Sequence, residues 1–384
     1  MMHWHPDPAS RRLHASLKWD TYPETELPLW VADLDCAPPP CVASVIQRSL
    51  DHGVFGYGHE PRSFRDAWVA HLATRHDWEI DPDWIVPVAG VVPAMRLALL
   101  AHPDIREVVV PNPAYPYFHA IPEQAGLITH RVELTQTPDG LLPVTGALES
   151  ALNQARGPSA LLWCNPHNPG GAMYSHTWLS RALEHARDNQ TLVISDEIWA
   201  DLGLNGKPHV PIGQLAEPDQ PTITLMAATK TFNVAGFPCA VAIIPESDTR
   251  HRFERILHAM PHVTPLAYQI TEVVLREGWP WHAALIEALK ANRDRVHSWA
   301  SEHPELAVST GDASFLAWIE RSDSSQNQDT GQNRLADAFA HGGVRLSDGR
   351  PFGDPEACRL NFGCHPTTLH QALERMHQVL EIHH

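Results

Sequence analysis

Three short apolar runs that end abruptly at residues able to do chemistry constrain this chain more than any other feature. Leu161–Cys164 stops at Asn165-Pro166 and goes on through His167 to Asn168-Pro169-Gly170-Gly171. Thr191–Ile194 leads through Ser195 to Asp196 and Glu197, and Ile223–Ala228 leads to Thr229 and Lys230. Runs this short and this apolar read as buried strands. Between the first two lies a helical pattern that Ser175 would cap, with Trp178, Leu179 and Leu183 on its inner face. Strand, helix and strand at this spacing predict a right-handed parallel crossover. The expected fold class is α/β, with a mostly parallel central sheet flanked by helices and the chemistry at the carboxyl ends of its strands.

The residues at those strand ends suggest which chemistry. The stretch after Lys230 lacks helical periodicity and reaches Gly236 and Pro238, so the lysine is expected on a strand-end loop. In an apolar, water-poor setting its amine loses part of its preference for the charged form and becomes available as a nucleophile or Schiff-base partner; the alternative is an ordinary solvated lysine. Asp196 and Glu197 are costly to bury without a cationic partner. A protonated pyridine nitrogen is one such partner, and a lysine combined with an acid on that nitrogen is the pattern of pyridoxal phosphate sites. The prolines around Asn168 forbid helix, and Gly170 and Gly171 let backbone pass close to a ligand.

Composition narrows the alternatives. A chain of 384 residues has room for two domains. A formal charge of −17 without a basic run argues against nucleic acid. The 26 histidines show no His-Glu-x-x-His spacing and read as scattered polar residues, with no metal expected. Six cysteines without a Cys-x-x-Cys pair suggest thiols in a reducing compartment. The first residues carry no basic-then-apolar signal and no run approaches a membrane span, so a cytoplasmic protein with no membrane partner is expected.

Several other stretches carry candidate site residues. Residues 1 to about 35 read as an extended arm, followed by an amphipathic helix from Pro40 to about His52 and a glycine-rich loop presenting Tyr57. Trp84–Gly90 reads as a strand and Val91–Leu100 as a helix, whose first backbone N–H groups, at Val91 and Val92, would make a phosphate seat. After a strand at Glu107–Val110, two prolines fix a loop presenting Tyr115, with Tyr117 and Phe118 on the apolar face of the next helix. A long helical stretch is expected to reach about His303, its part from Trp281 to Val296 bridging the domains. Ser314–Ile319 reads as a strand of a smaller domain, residues 322–331 as a solvated loop, and Cys358–Phe362 as a strand carrying Arg359. A buried arginine must be paired, and its planar fork suits a carboxylate; a structural ion pair is the alternative.

Taken together, Ser16–Asp20, Leu27–Asp35, Val54–Tyr57, Cys164–Pro169, Lys230–Gly236 and Arg359–Cys364 resemble the fold-type I pyridoxal phosphate enzymes of the class I/II aminotransferase superfamily. More narrowly they resemble its cystathionine β-lyase, or C–S lyase, branch. The resemblance spans essentially the whole chain. It implies an N-terminal arm with part of the small domain at residues 1–47, a large cofactor-binding domain at 48–285 and a smaller α+β domain at 286–384. It implies pyridoxal 5'-phosphate as cofactor, with Lys230 as its carrier and as the catalytic base. Asp196 would meet the ring nitrogen, Asn168 the ring oxygen, and Tyr115 the ring face. Val91, Val92 and Thr229 would hold the phosphate, joined by Tyr57 from a neighbouring subunit in a homodimer with shared sites. Arg359 would bind the substrate α-carboxylate.

Two positions depart from the family pattern. Pro238 stands where related aminotransferases often carry a phosphate-binding arginine, and Trp199 where tyrosine or histidine is usual. Indole can donate a hydrogen bond but cannot accept one, so Trp199 is expected either to hold the ring oxygen or to pack. The implied reaction is β-elimination from a cysteine S-conjugate such as L-cystathionine, giving a thiol, pyruvate and ammonia. An aminotransferase and a regulatory binding protein on the same fold are the alternatives.

Overall fold

The computed structural model describes residues 2–5, 8–137, 139–322 and 334–382. Three sheets organise it. A two-stranded parallel ribbon pairs β1 (Leu27–Pro28) with β12 (Val344–Arg345). The large sheet holds β2 (Ile85–Val88), β3 (Glu107–Asn112), β4 (Ile128–Thr137), β5 (Gly140–Pro143), β6 (Ser159–Cys164), β7 (Leu192–Asp196), β8 (Thr222–Met226) and β9 (Ala240–Ile243). Its order is β2-β9-β8-β7-β6-β3-β4-β5. The neighbours from β8 through β4 run parallel, while β9 and β5 pair antiparallel at either side. The small sheet is antiparallel throughout, ordered β10 (Leu306–Ser309), β11 (Leu316–Arg321), β14 (Cys358–Asn361) and β13 (Ser347–Asp348).

The large sheet matches the α/β expectation. Strands β6, β7 and β8 are buried along their full length, as strands covered by helices on both faces must be. The crossover helix between β6 and β7 is His176–Asp188; the Ser175 side chain accepts the Trp178 N–H at its start. Leu179 and Leu183 point inward while Trp178 is only partly buried. Phe118 is likewise fully buried but its neighbour Tyr117 is exposed, so only one of that pair faces the core.

Other expectations need correction. The sequence from Lys230 onward is not a bare loop: Ala228–Thr231 makes one helical turn, closed by Phe232 N–H donating to the Ala228 carbonyl at 3.0 Å. A single turn shows too few residues for periodicity to betray it. The expected long helical stretch is broken into Ser247–Leu257, Pro265–Glu277 and Trp279–Ser301, with Pro261 and Thr264-Pro265 starting a new helix after the first break. Of the segment read as a solvated loop at 322–331, only Ser322 lies within the described residues.

The N-terminal arm also differs from a simple extended strand. It folds back, pairing Trp4 with Cys36 in an antiparallel bridge. Lys18 is fully buried, and its ammonium donates to Asp35 Oδ2 at 2.8 Å and to the Asp33 carbonyl at 3.1 Å. Trp19 Nε1 donates to the other carboxylate oxygen at 2.8 Å. Further along, Asn361 Nδ2 donates to the carbonyls of Val31 and Asp33 at 2.6 and 2.7 Å, which ties the arm to β14. Removing one partner of a buried pair leaves the other charge uncompensated. Lys18→Met is therefore expected to lower the unfolding free energy by about 3–5 kcal/mol in denaturant titration; a loss below about 1 kcal/mol, the range of a surface pair, would contradict this view of the arm.

Candidate active site

Parallel strands β3, β6, β7 and β8 all finish on one side of the large sheet, and a cavity of about 740 Å³ opens there. Tyr115 follows β3, Asn168 follows β6, Asp196 closes β7, and Thr229 and Lys230 follow β8. Val91 and Val92, the first residues of the helix Val91–Ala101, line the same cavity. So do Trp199 and, from the small sheet, Arg359. Nine of the ten sequence-predicted site residues thus share one cavity. Tyr57 is the exception: it is fully exposed on its loop, beside exposed Val54 and Phe55.

Four lysines occur in the chain. Lys18 is paired with Asp35, Lys207 with Asp312 and Lys290 with Glu287, at 2.8, 2.9 and 2.9 Å. Lys230 has no such salt bridge; its amine donates to the Ala32 carbonyl at 2.6 Å. Burial lowers its pKa from the ordinary lysine value, with Asp33 and Asp196 opposing that and Arg359 adding to it. A shift in this direction moves an amine toward the neutral form that a nucleophile or general base uses.

Asp196 is buried, and burial raises its carboxyl pKa to about 7, against the Ile198 N–H that donates to Oδ1 at 3.1 Å. Arg359 is buried too, and burial lowers its pKa to about 10. Its guanidinium donates to Asn168 Oδ1 at 2.9 Å, to the Trp30 carbonyl at 2.9 Å and to Ser347 Oγ at 3.2 Å. It lies over the Phe352 ring, 4.9 Å from the centroid, and Nε is buried without a partner. No carboxylate is among these partners, so the structural ion pair considered from sequence is not what holds it. Tyr115 has its phenol pushed up to about 12 by burial, and its backbone N–H donates to the Asn168 carbonyl at 3.1 Å. Trp199 is buried and packs edge-on against Phe315, with ring centroids 5.0 Å apart.

The arm contributes more than sequence reading assigned to it. Four consecutive residues, Trp30 to Asp33, offer their carbonyls to Arg359, Asn361, Lys230 and Asn361 in turn, and Asp33 also acts on Lys230 by charge. Prolines on either side marked the segment as non-helical, but contacts nearly 200 and 330 residues apart along the chain leave no local pattern.

The cavity also suits an anionic group. The helix Val91–Ala101 starts at Gly90, which has φ +121° and offers no side-chain cap, so the amides of the first turn are free for a ligand. Thr229 lines the same cavity, and Pro238, also lining it, brings no charge. A phosphate seat, a buried carboxyl of raised pKa and a partly buried amine of lowered pKa are together a set that suits pyridoxal phosphate.

The protein-family model for aminotransferase class I and II matches residues 26–376, and the chain belongs to that family. It is 31% identical to the cystathionine beta-lyase PatB of Bacillus subtilis (strain 168), over 95% of this chain and 96% of that protein. Among solved structures it is similar to OvoB, with a TM-score of 0.90 and 36% identity over 96% of this chain and 97% of that one. It is also similar to cystalysin from Treponema denticola, described with a pyridoxal 5'-phosphate cofactor, with a TM-score of 0.90 and 27% identity over the full length of both. The fold is that of the fold-type I pyridoxal phosphate enzymes.

Asp196 gives a pH test of the site. Its carboxyl holds a proton up to about pH 7 in the folded chain but only to its ordinary value of 3.8 when unfolded. Between those values the folded state binds more protons, so this group favours folding at low pH and its contribution is lost as pH rises to about 7. In cofactor-free protein, Asp196→Asn is expected to gain stability relative to wild type across that window. The gain should reach a few kcal/mol at neutral pH, growing by about 1.4 kcal/mol for each step of one in pH. Parallel stability curves from pH 4 to 8 would contradict the buried, protonated carboxyl.

Proposed function

We propose that this chain cleaves the carbon–sulfur bond of cysteine S-conjugates such as L-cystathionine, releasing a thiol, pyruvate and ammonia. Pyridoxal phosphate is its cofactor. The observation that carries the reading is the convergence of the Lys230 amine, the Asp196 carboxyl and the Arg359 guanidinium on one cavity, in a chain similar over nearly its whole length to a cystathionine beta-lyase.

Lys230 would carry the cofactor and Asp196 would hold its ring nitrogen. Val91, Val92 and Thr229 would hold its phosphate, Tyr115 its ring face, and Asn168 its ring oxygen. When bound, the cofactor supplies an electron sink next to the substrate α-carbon, so that a proton can leave that carbon and a thiolate its neighbour. Arg359 binds and orients the α-carboxylate; its guanidinium is already held in place by Asn168, Trp30 and Ser347, so little is lost in fixing it. The Lys230 amine, once free, takes the α-proton at Nζ, and its lowered pKa keeps it able to accept one. Asp196 keeps a proton at the ring nitrogen. Tyr115 and Trp199 exclude water from the apolar walls. The enamine left after thiolate departure hydrolyses in water to pyruvate and ammonia.

The same residues would serve an aminotransferase, so the products decide. Incubated with L-cystathionine and no 2-oxo acid, the purified enzyme is expected to release pyruvate and homocysteine in equal amounts over many turnovers. A single turnover that stops until a 2-oxo acid is added would make it an aminotransferase and refute the lyase reading. Within the lyase, Arg359→Lys should raise KM by roughly ten- to a hundredfold, the cost of about 1.5–3 kcal/mol for losing a charge-assisted fork; an unchanged KM would remove Arg359 from substrate binding.

We infer also that the active enzyme is a homodimer whose exposed loop carries Tyr57 to the phosphate seat of the neighbouring subunit. The exposed Leu50, Val54 and Phe55 beside it supply apolar area for such an interface. Sedimentation should give twice the 42.7 kDa of one chain; an active monomer would contradict the shared site.

A further inference from the structure

Outside the cavity lies a nest of histidines and acids that the reaction does not use. His71 and His76 come from the helix Arg62–His76, and Asp201 follows the strand that carries Asp196. The side chains are only 1%, 3% and 7% exposed. His71 Nε2 lies 3.4 Å from Asp201 Oδ2, and His76 Nε2 lies 3.2 Å from Asp201 Oδ1. One ligand atom from each residue lies within 4.8 Å of the others, which makes this the one such group of three among the described residues. Yet both nitrogens of both rings, and Asp201 Oδ1, are buried without a hydrogen-bond partner. Buried polar atoms left this way are costly.

Two imidazoles crowded onto one buried carboxylate are a ligand set that suits a shared cation. Tetrahedral ligands at 2.0–2.2 Å from a metal sit roughly 3.3–3.6 Å apart; His71 Nε2 and His76 Nε2 lie near that spacing, each from a different oxygen of the Asp201 carboxylate. We propose that His71, His76 and Asp201 form a buried site for a divalent transition-metal ion, Zn²⁺ by its ligand set of two imidazoles and a carboxylate. The fourth position is left to water.

The surroundings support the site. His209 Nε2 contacts Glu197 Oε2 at 2.6 Å, the arrangement by which carboxylates orient metal-binding histidines, and its Nδ1 is buried and unpartnered. The His209 ring meets His76 edge-on with centroids 5.5 Å apart. Trp279 stacks on His71 with centroids 5.4 Å apart, and His282 Nε2 contacts the Asp201 carbonyl at 2.7 Å. The ion would tie the helix Arg62–His76 to the segment leaving Asp196. Ligands drawn from residues 71, 76 and 201 show no compact spacing, so no local motif marks a metal site.

The test is crystallography of the holoenzyme grown with Zn²⁺, read by anomalous scattering at the zinc edge, together with metal content after exhaustive dialysis. The expected result is an anomalous peak about 2.0–2.2 Å from His71, His76 and Asp201. One tightly held equivalent should then be lost in His76→Gln and Asp201→Asn, with far-UV circular dichroism and cofactor absorbance kept. Zinc retained equally by both variants, or anomalous peaks only at surface histidines, would overturn the site. Should the variants fail to fold, the wild-type map alone decides.

Discussion

A partly buried amine and a fully buried carboxyl lining one cavity are the constraint on which the rest of this structure depends. Lys230 and Asp196 are each destabilised in their charged forms by burial, and neither is neutralised by a direct salt bridge to the other. The fold tolerates this because both sit where backbone is rigid and rich in acceptors and donors: Asp196 closes a fully buried strand, and Lys230 lies in a single helical turn after its parallel neighbour. The cost of burying them is offset elsewhere, in strands β6 to β8 and their covering helices. Such a site is poised to take up a group that carries complementary charge.

The cavity is closed from two directions. The small sheet brings Arg359 down on β14, and the N-terminal arm runs between that strand and Lys230. Lys18, Asp35 and Asn361 hold the arm, and the arm's carbonyls in turn hold Arg359 and Lys230. Ligand binding is thereby coupled to the first residues of the chain, which form little regular structure of their own. A shift of the arm would release the Lys230 amine and the Arg359 guanidinium together.

Much of this was legible in the sequence, and the part that was not has a common cause. Strands β6, β7 and β8 announced themselves because a buried parallel strand is an unbroken apolar run, and the candidate residues Asn168, Asp196 and Lys230 close or follow them. Gly90 and Ser175 marked helix starts through local backbone and capping needs. What escaped were relations between distant residues: the pairing of Asn168 with Arg359, the arm's carbonyls, and the histidine nest around Asp201. The turn at Lys230 was missed because four residues are too few to show a period. Tyr57, legible as a loop aromatic, stays outside the cavity of its own chain.

That Lys230 alone carries the cofactor is the central claim, and it can be tested directly because the chain has only four lysines. The holoenzyme would be treated with borohydride, which locks a lysine-bound cofactor in place, then digested and mapped by mass spectrometry. The phosphopyridoxyl mass is predicted on the peptide containing Lys230, at one per chain. The same mass on Lys18, Lys207 or Lys290, with Lys230 unmodified, would contradict it.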